Sequence, residues 1–317
     1  MAKTWDGKRY YSLNYFLREK FGEKVFKISL DAGFTCPNRD GSVSSGGCVF
    51  CSSRGSGDFA GTGKDLVGQF NDIRNMMNKK WKNGSYIGYF QAYTNTYADV
   101  DVLREKYYSI MNLEDVVGIA IATRPDCLSY EVLELLSEIN EKTYLWVELG
   151  LQTVHEDTAS LINRGYALQT YIDAVNELKK RNIEVVTHVI LGLPGEDKGK
   201  MLETVEFVAN TGTQGIKLHL LHLLKDTRMV ELYESGQFVP MERDEYAELI
   251  ADCIERVPEN MVIHRLTGDG PRETLIEPRW SIKKWEVLNQ IDYELMDRDT
   301  WQGKRYAENV GISRLFS

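Results

Sequence analysis

Asp31-Ala-Gly-Phe-Thr-Cys36-Pro-Asn-Arg-Asp-Gly-Ser-Val-Ser-Ser-Gly-Gly-Cys48-Val-Phe-Cys51 places three of the chain's five cysteines within sixteen positions. The spacing is C-x11-C-x2-C. In the close pair, Cys48 and Cys51, two intervening residues let both thiolates reach one ion or one cluster. Gly41, Gly46 and Gly47, with polar residues between them, let the segment curl back with its amides facing inward. Widening a three-residue gap to eleven costs only about 1 kcal/mol of closure entropy. Ligation energies on the order of 10 kcal/mol outweigh that. The number of ligands says more than their spacing. A structural zinc site takes four closed ligands, whereas Cys127 and Cys253 are remote and the nearest histidine in sequence is His155. A cubane held by three thiolates leaves one iron open to a substrate or cofactor. A zinc knot completed by a distant histidine is the alternative that spacing alone leaves standing.

Outward from this loop the chain alternates strands and helices. Val25–Leu30 (VFKISL) leads into the loop as the first strand, and an amphipathic helix is predicted over Lys64–Trp81. Tyr86–Ala92 is a second strand with Val100–Asn112 as its helix. Val116–Ala122 (VVGIAIA) is a third, continuous in apolar residues as a buried parallel strand is. Its helix, Tyr130–Ile139, is capped by Ser129. Tyr144–Leu151, Ile183–Leu191 and Ile216–Leu221 read as strands four to six, with helices Leu168–Arg181 and Met201–Ala209 between them. Six strand–helix units predict a partial parallel α/β barrel, and a doubly wound sheet is the alternative that alternation does not separate. Helices Thr227–Ser235 and Arg243–Arg256 close this unit. Residues 1–23 read as an N-terminal segment, 24–256 as the barrel and 257–317 as a C-terminal extension. The extension holds a short strand near Met261–Leu266, a turn-rich loop TGDGPRE and a helix over Ile282–Met296.

Composition bounds the function. Hydrophobic residues make up 43% and charged residues 27% of 317 positions, an ordinary globular balance. An odd cysteine count, crowded locally, argues against a disulfide framework and for metal binding in a reducing cytoplasm. No apolar run reaches the roughly 20 residues of a membrane span, and MAKTWDGKRYYSLNYF lacks the apolar core of a secretory signal. The net charge of −9 disfavours a non-specific nucleic-acid coat. Any RNA contact must therefore rest on local basic patches.

A cysteine triad after the first strand of a six-unit βα fold resembles the radical S-adenosylmethionine (SAM) superfamily. The long first gap is similar to the branch related to the Elongator catalytic subunit. DAGFTCPNRDG, FQAYTNTY, TRPD and VELGLQT resemble more closely the YhcC/YtqA-type branch, some members of which are known as MnmL. The likeness implies a [4Fe-4S] cluster on Cys36, Cys48 and Cys51, with SAM on the open iron and an external low-potential electron donor. It carries further positions toward SAM one at a time. Gln91, Thr94 and Asn95 follow the second strand, where the family meets the SAM amino group. Arg124 and Asp126 follow the third, where an arginine can pair with a carboxylate of SAM or with a neighbouring acid. Glu148 and Gln152 correspond to ribose- and SAM-contacting positions of the fourth, and an unpaired carboxylate at Glu148 would be costly inside an apolar strand. Arg164 matches a segment reaching the same ligand, and His188 opens HVILGLPGE, the segment lying against the adenine. His219 and His222 are expected on opposite faces of the sixth strand, neither as a metal ligand. Cys127 and Cys253 read as small apolar residues.

The same resemblance implies a tRNA substrate. The proposed reaction of the branch removes the carboxymethyl group from 5-carboxymethylaminomethyl-(2-thio)uridine at the wobble position, leaving the 5-aminomethyl form for a separate methyltransferase. Basic residues interleave with aromatics in Lys8-Arg9-Tyr10-Tyr11, in Lys79-Lys80-Trp81-Lys82 and in Arg279, Trp280, Lys283, Lys284 and Trp285. Cations can track phosphates while rings stack on unpaired bases; a snorkelling helix surface is the plain alternative. A radical SAM enzyme acting on a peptide or small molecule, and a non-catalytic metal-binding module, are the competing functions.

Overall fold

The computed structural model describes residues 2–55, 57–61, 65–81, 84–268 and 270–316. Lys64, Lys82 and Asp269, which fall in segments singled out above, lie outside the described residues. Seven parallel strands form one sheet in the order β1 (Val25–Leu30), β2 (Ser85–Phe90), β3 (Val116–Thr123), β4 (Tyr144–Gln152), β5 (Glu184–Leu191), β6 (Gly215–Leu220) and β8 (Val262–Arg265). Between β6 and β8 in the chain lies β7 (Leu223–Leu224), which pairs antiparallel with β9 (Leu275–Glu277). The architecture is a curled parallel half-barrel, as the sequence predicts, with one strand more than the six counted there. That seventh strand is four residues long and reaches the sheet only after two helices. It therefore breaks the regular rhythm that made the first six legible.

Helices α2 (Leu66–Asn78), α3 (Val100–Met111), α4 (Tyr130–Lys142), α6 (Leu168–Lys180), α7 (Lys198–Ala209) and α9 (Arg243–Arg256) form the crossovers. Their apolar stripes pack on the outward residues of the strands, such as Ile28, Leu30, Ile119, Val147 and Leu218, in one continuous core. Ser129 caps α4 as expected, accepting from the Val132 amide at 3.3 Å. The sequence reading passed over α1 (Leu13–Phe21) and the single-turn helices α5 (Glu156–Leu161) and α11 (Val310–Ser313), and placed α8 (Met229–Glu234) and α10 (Lys284–Asp297) within two residues.

Period-two alternation sends the other half of each strand into the concave face. Its lower layer is apolar: Val25, Ile87, Ala120, Trp146 and Val186 pack with Leu17 of α1. The N-terminal segment is thus a plug under the barrel. It also meets the last strand, since the Ile263 amide donates to the Tyr11 carbonyl at 2.8 Å. Gln302, fully buried, ties both termini together by accepting from the Tyr11 amide at 2.7 Å and donating to the carbonyls of Pro258 and Met261. Truncating the plug leaves a cavity facing Trp146. Leu17→Ala is therefore expected to lower the unfolding free energy by about 2–4 kcal/mol, read from denaturant melts; a change under about 0.5 kcal/mol would mean that α1 does not seal this end.

Candidate active site and cofactor cradle

The cysteine loop leaves β1 at the carboxyl end of the sheet, where parallel barrels carry their chemistry. Its eleven-residue excursion folds on itself: the amides of Arg39 and Asp40 donate to Cys36 O, Val43 to Pro37 O, and Gly47 to Asn38 O at 2.7 Å. Gly47 adopts φ +77°, and a side chain there would meet Arg39 Nε at 2.9 Å. That position therefore requires glycine on two counts. The Arg39 guanidinium donates to the carbonyls of Cys51 and Ser52, and Asn163 and Arg228 both donate to Gly47 O. Asn38 Nδ2 donates to Asn163 O and approaches Cys48 Sγ at 3.5 Å. A hydrogen bond with Cys51, then burial, pushes the Cys48 thiol well above its ordinary value, with the Arg124 charge opposing.

All three half-buried cysteines line a cavity of about 260 Å³ inside the half-barrel. Three thiols on a closed, amide-rich loop, one of them met by a side-chain N–H, make a donor set suited to iron–sulfur ligation. Among the described residues no fourth His, Cys, Asp or Glu joins the three cysteines as a preformed group for a single metal ion. Cys36, Cys48 and Cys51 would hold the cluster, whose open iron supplies SAM binding and reductive cleavage.

Of the positions carried toward SAM, Gln91, Thr94, Arg124, Glu148, Gln152, Arg164 and His188 line this cavity. Gln152 reaches it through a register shift between Gly150 and Gln152, where the backbone takes φ +69°. Such a bulge re-aims a side chain at the rim of a sheet. Asn95 and Asp126 do not line the cavity. Asn95 is fully buried and donates to Ala122 O at 2.9 Å. Asp126 takes the Arg124 guanidinium in a fork, with contacts of 2.9 and 2.7 Å. Both therefore support the wall, and the arginine's carboxylate partner is the neighbouring acid. Arg164, 1% exposed, is also largely committed, donating to the carbonyls of Leu151, Thr153 and Tyr166.

Below this rim lies a charged layer that the sequence reading largely missed. Glu148, with no exposed side-chain surface, accepts from Trp146 Nε1 at 2.9 Å and from His188 Nε2 at 2.9 Å. It also accepts from Lys217 Nζ, and Lys27 Nζ stands 3.7 Å away. Lys217 donates further to the Tyr89 hydroxyl at 3.2 Å. Against the cost of burial, Lys217 first and then Lys27 and His188 hold the Glu148 carboxyl well below the usual range. Burial, then the Lys217 charge, lowers His188 to about 4. A lysine inside VFKISL and another inside GIKLHL were the available signals: charges at inward positions of otherwise apolar strands. His219 and His222 correct the alternation argument, for both line the cavity. Strand β6 ends at Leu220, so its two-residue period does not extend to His222.

The third basic–aromatic cluster divides. Trp280, half-buried, packs on Tyr246 with ring centroids 5.7 Å apart and donates Nε1 to Met241 O, so it serves the packing of the extension. Trp285 is 77% exposed, Arg279 is exposed, Lys284 is half-buried, and Lys283 pairs with Glu286 at 2.8 Å. Tyr10 of the first cluster is buried, and its neighbour Lys8 is paired with Asp292.

Removing the one carboxylate of the charged layer would strand the buried Lys217 ammonium and the half-buried Lys27 beside it. Glu148→Ala should cost roughly 3–5 kcal/mol, and adding Lys217→Met should restore part of it; a double mutant no better than the single would contradict the pairing. The pH dependence follows from His188, whose folded pKa lies below its unfolded value of 6.5. The unfolded chain takes up the proton first, so stability present above pH 6.5 is lost as pH falls toward about 4. Glu148 acts in the same direction below its own unfolded value. Melting curves of His188→Gln should be less steep across that window, and an unchanged slope would remove His188 as a contributor.

Comparison with known proteins agrees with this geometry. Residues 36–208 match the Radical SAM superfamily model and residues 213–297 the Radical_SAM C-terminal domain. YtqA of Bacillus subtilis (strain 168) is 58% identical over 298 residues, 94% of this chain and 92% of that protein. YhcC of Escherichia coli (strain K12) is 38% identical over 277 residues, 87% and 89% of the two chains. The solved structure of Methanocaldococcus infernus Elp3 with an N-terminal deletion has the same fold, with a TM-score of 0.66 at 16% identity over 88% of this chain and 64% of that one. The radical SAM family uses a [4Fe-4S] cluster and SAM. The chain belongs to the radical SAM superfamily of enzymes.

Proposed function

We propose that this radical SAM enzyme modifies tRNA, removing the carboxymethyl group from 5-carboxymethylaminomethyl-(2-thio)uridine at the wobble position to give the 5-aminomethyl form. The observation that carries the reading is the charge of the cavity. Its lining holds Arg39, Arg124, Arg164, Lys217 and Arg265 against only Asp58 and Glu148 among the described residues, within a chain of net charge −9. Asp126 and Glu156, outside the lining, offset Arg124 and Arg164, and the positive charge that is left suits an anionic ligand. The likeness of DAGFTCPNRDG, FQAYTNTY, TRPD and VELGLQT to the YhcC/YtqA-type branch supports a wobble uridine as that ligand.

A 5′-deoxyadenosyl radical suits this step, because the hydrogen to be abstracted sits on the carbon between nitrogen and carboxylate and is beyond ordinary acid–base chemistry. Loss of one further electron to a one-electron acceptor would give an imine, and water would cleave its C=N bond to release glyoxylate and leave the primary amine. An unpaired base has to leave its stack to reach the cavity, as bases do in enzymes acting on their atoms. On the outer surface, exposed Trp285 and Arg279 offer one ring and one cation for base and backbone contacts. The product, a primary amine, is a substrate for a separate methyltransferase. No helix among the described residues is long and apolar enough to cross a membrane.

Mass spectrometry of tRNA nucleosides with and without the gene tests the reading. Loss should accumulate the carboxymethylaminomethyl nucleoside and deplete its aminomethyl descendants. Unchanged nucleosides would redirect the enzyme to a peptide or small-molecule substrate.

A further inference from the structure

The charged layer under the rim is not used by the cluster cradle, and its hydrogen bonds can be counted. An ammonium group carries three N–H donors. At Lys217 two are directed to Glu148 and to the Tyr89 hydroxyl. The side chain is 3% exposed, so the third donor does not reach bulk solvent. Two positions along the same strand, on the same face, stands His219. Its Nε2 is buried and has no hydrogen-bond partner among the described residues, and its ring lies 5.1 Å from that of His188. Buried polar atoms are rarely left unpaired without a reason.

Glu148 has nothing left to offer a ligand. Its two oxygens already face Trp146 Nε1, His188 Nε2, Lys217 Nζ and Lys27 Nζ. Around it stand Lys27, Lys217 and Arg265; burial lowers both lysines while the Glu148 charge supports their ammonium forms, and burial keeps His188 and His219 on the neutral side. An entering cation would face Lys217. A neutral group would accept a hydrogen bond and leave the excess charge in place. A carboxylate meets both requirements, because it accepts from two donors and offsets one charge.

We propose that Lys217 Nζ and His219 Nε2 anchor a carboxylate of the substrate at the floor of the cavity, with Glu148 as the positioning residue that fixes the ammonium. This rests on the wobble-uridine reading, in which the carboxylate is that of the carboxymethylaminomethyl arm. The arm points inward, the base stays toward the cysteine loop, and the methylene to be attacked lies between them. Recognition of the arm by its far end accounts for charge at this depth, well below the residues that face the rim.

Binding of two nucleosides to the anaerobically reconstituted, SAM-loaded holoenzyme tests this. The pair is 5-carboxymethylaminomethyluridine and its carboxamide counterpart, which has the same shape and no charge. Wild type should bind the acid about tenfold or more tightly than the amide, the difference one charge-assisted hydrogen bond carries. His219→Ala, which keeps the Lys217–Glu148 pair, should narrow that ratio to about threefold or less, and Lys217→Gln should narrow it too. Equal affinity of wild type for acid and amide, or an unchanged ratio in His219→Ala, overturns the anchor while leaving the wobble-uridine reading intact. Binding of neither nucleoside to wild type overturns that reading and the anchor with it.

Discussion

The carboxylate of Glu148 is the constraint around which the inside of this half-barrel is built. A parallel sheet that curls without closing exposes a concave face, and that face must be filled or made useful. Here the lower part is filled by Trp146 and by Leu17 from the N-terminal helix. The part above carries ions, and those ions are tolerable only because one acid sits among them. Tyr89 from β2, Lys27 from β1, His188 from β5 and Lys217 from β6 all converge on Glu148 or its partners. One residue therefore couples four strands to its own, through contacts that cost several kcal/mol if left unmade.

The cysteine loop depends on the same frame from the other side. It is an irregular segment held by carbonyl contacts from Arg39, Asn163 and Arg228, and Asn163 belongs to the turn after α5, itself anchored by the committed guanidinium of Arg164. Arg124 joins these parts, gripping Asp126 on one side and the Arg164 carbonyl on the other. Several polar residues around this site thus spend their hydrogen bonds on positioning. The wall is stiff, and the atoms that remain available for ligands are few and identifiable.

Much of this was legible in the sequence. The strands announced themselves as apolar runs bounded by turns, and the C-x11-C-x2-C spacing marked the loop whose three thiols line the cavity. Gln91, Thr94, Arg124, Glu148, Gln152, Arg164 and His188, singled out as SAM-contacting positions, line the cavity beside the cysteines. Asn95 and Asp126 were not separable from them, because the choice between facing a ligand and facing a neighbour is made by tertiary contacts. Val262–Arg265 was read as part of an extension since it lacks the rhythm of its predecessors, although it completes the sheet. Lys27, Tyr89 and Lys217 were missed because a single charge or ring in an apolar strand reveals its face only when the register is known. Trp280 looked like a stacking ring and is a packing one.

Every functional statement above depends on Cys36, Cys48 and Cys51 holding a cluster that cleaves SAM. Anaerobic reconstitution with iron and sulfide, followed by dithionite and SAM, measures this directly. The account predicts about four irons per chain, absorption near about 400 nm typical of such clusters, and release of 5′-deoxyadenosine that disappears in Cys48→Ala. Full SAM cleavage by Cys48→Ala, or a wild-type chain that takes up a single zinc and yields no 5′-deoxyadenosine, would contradict it.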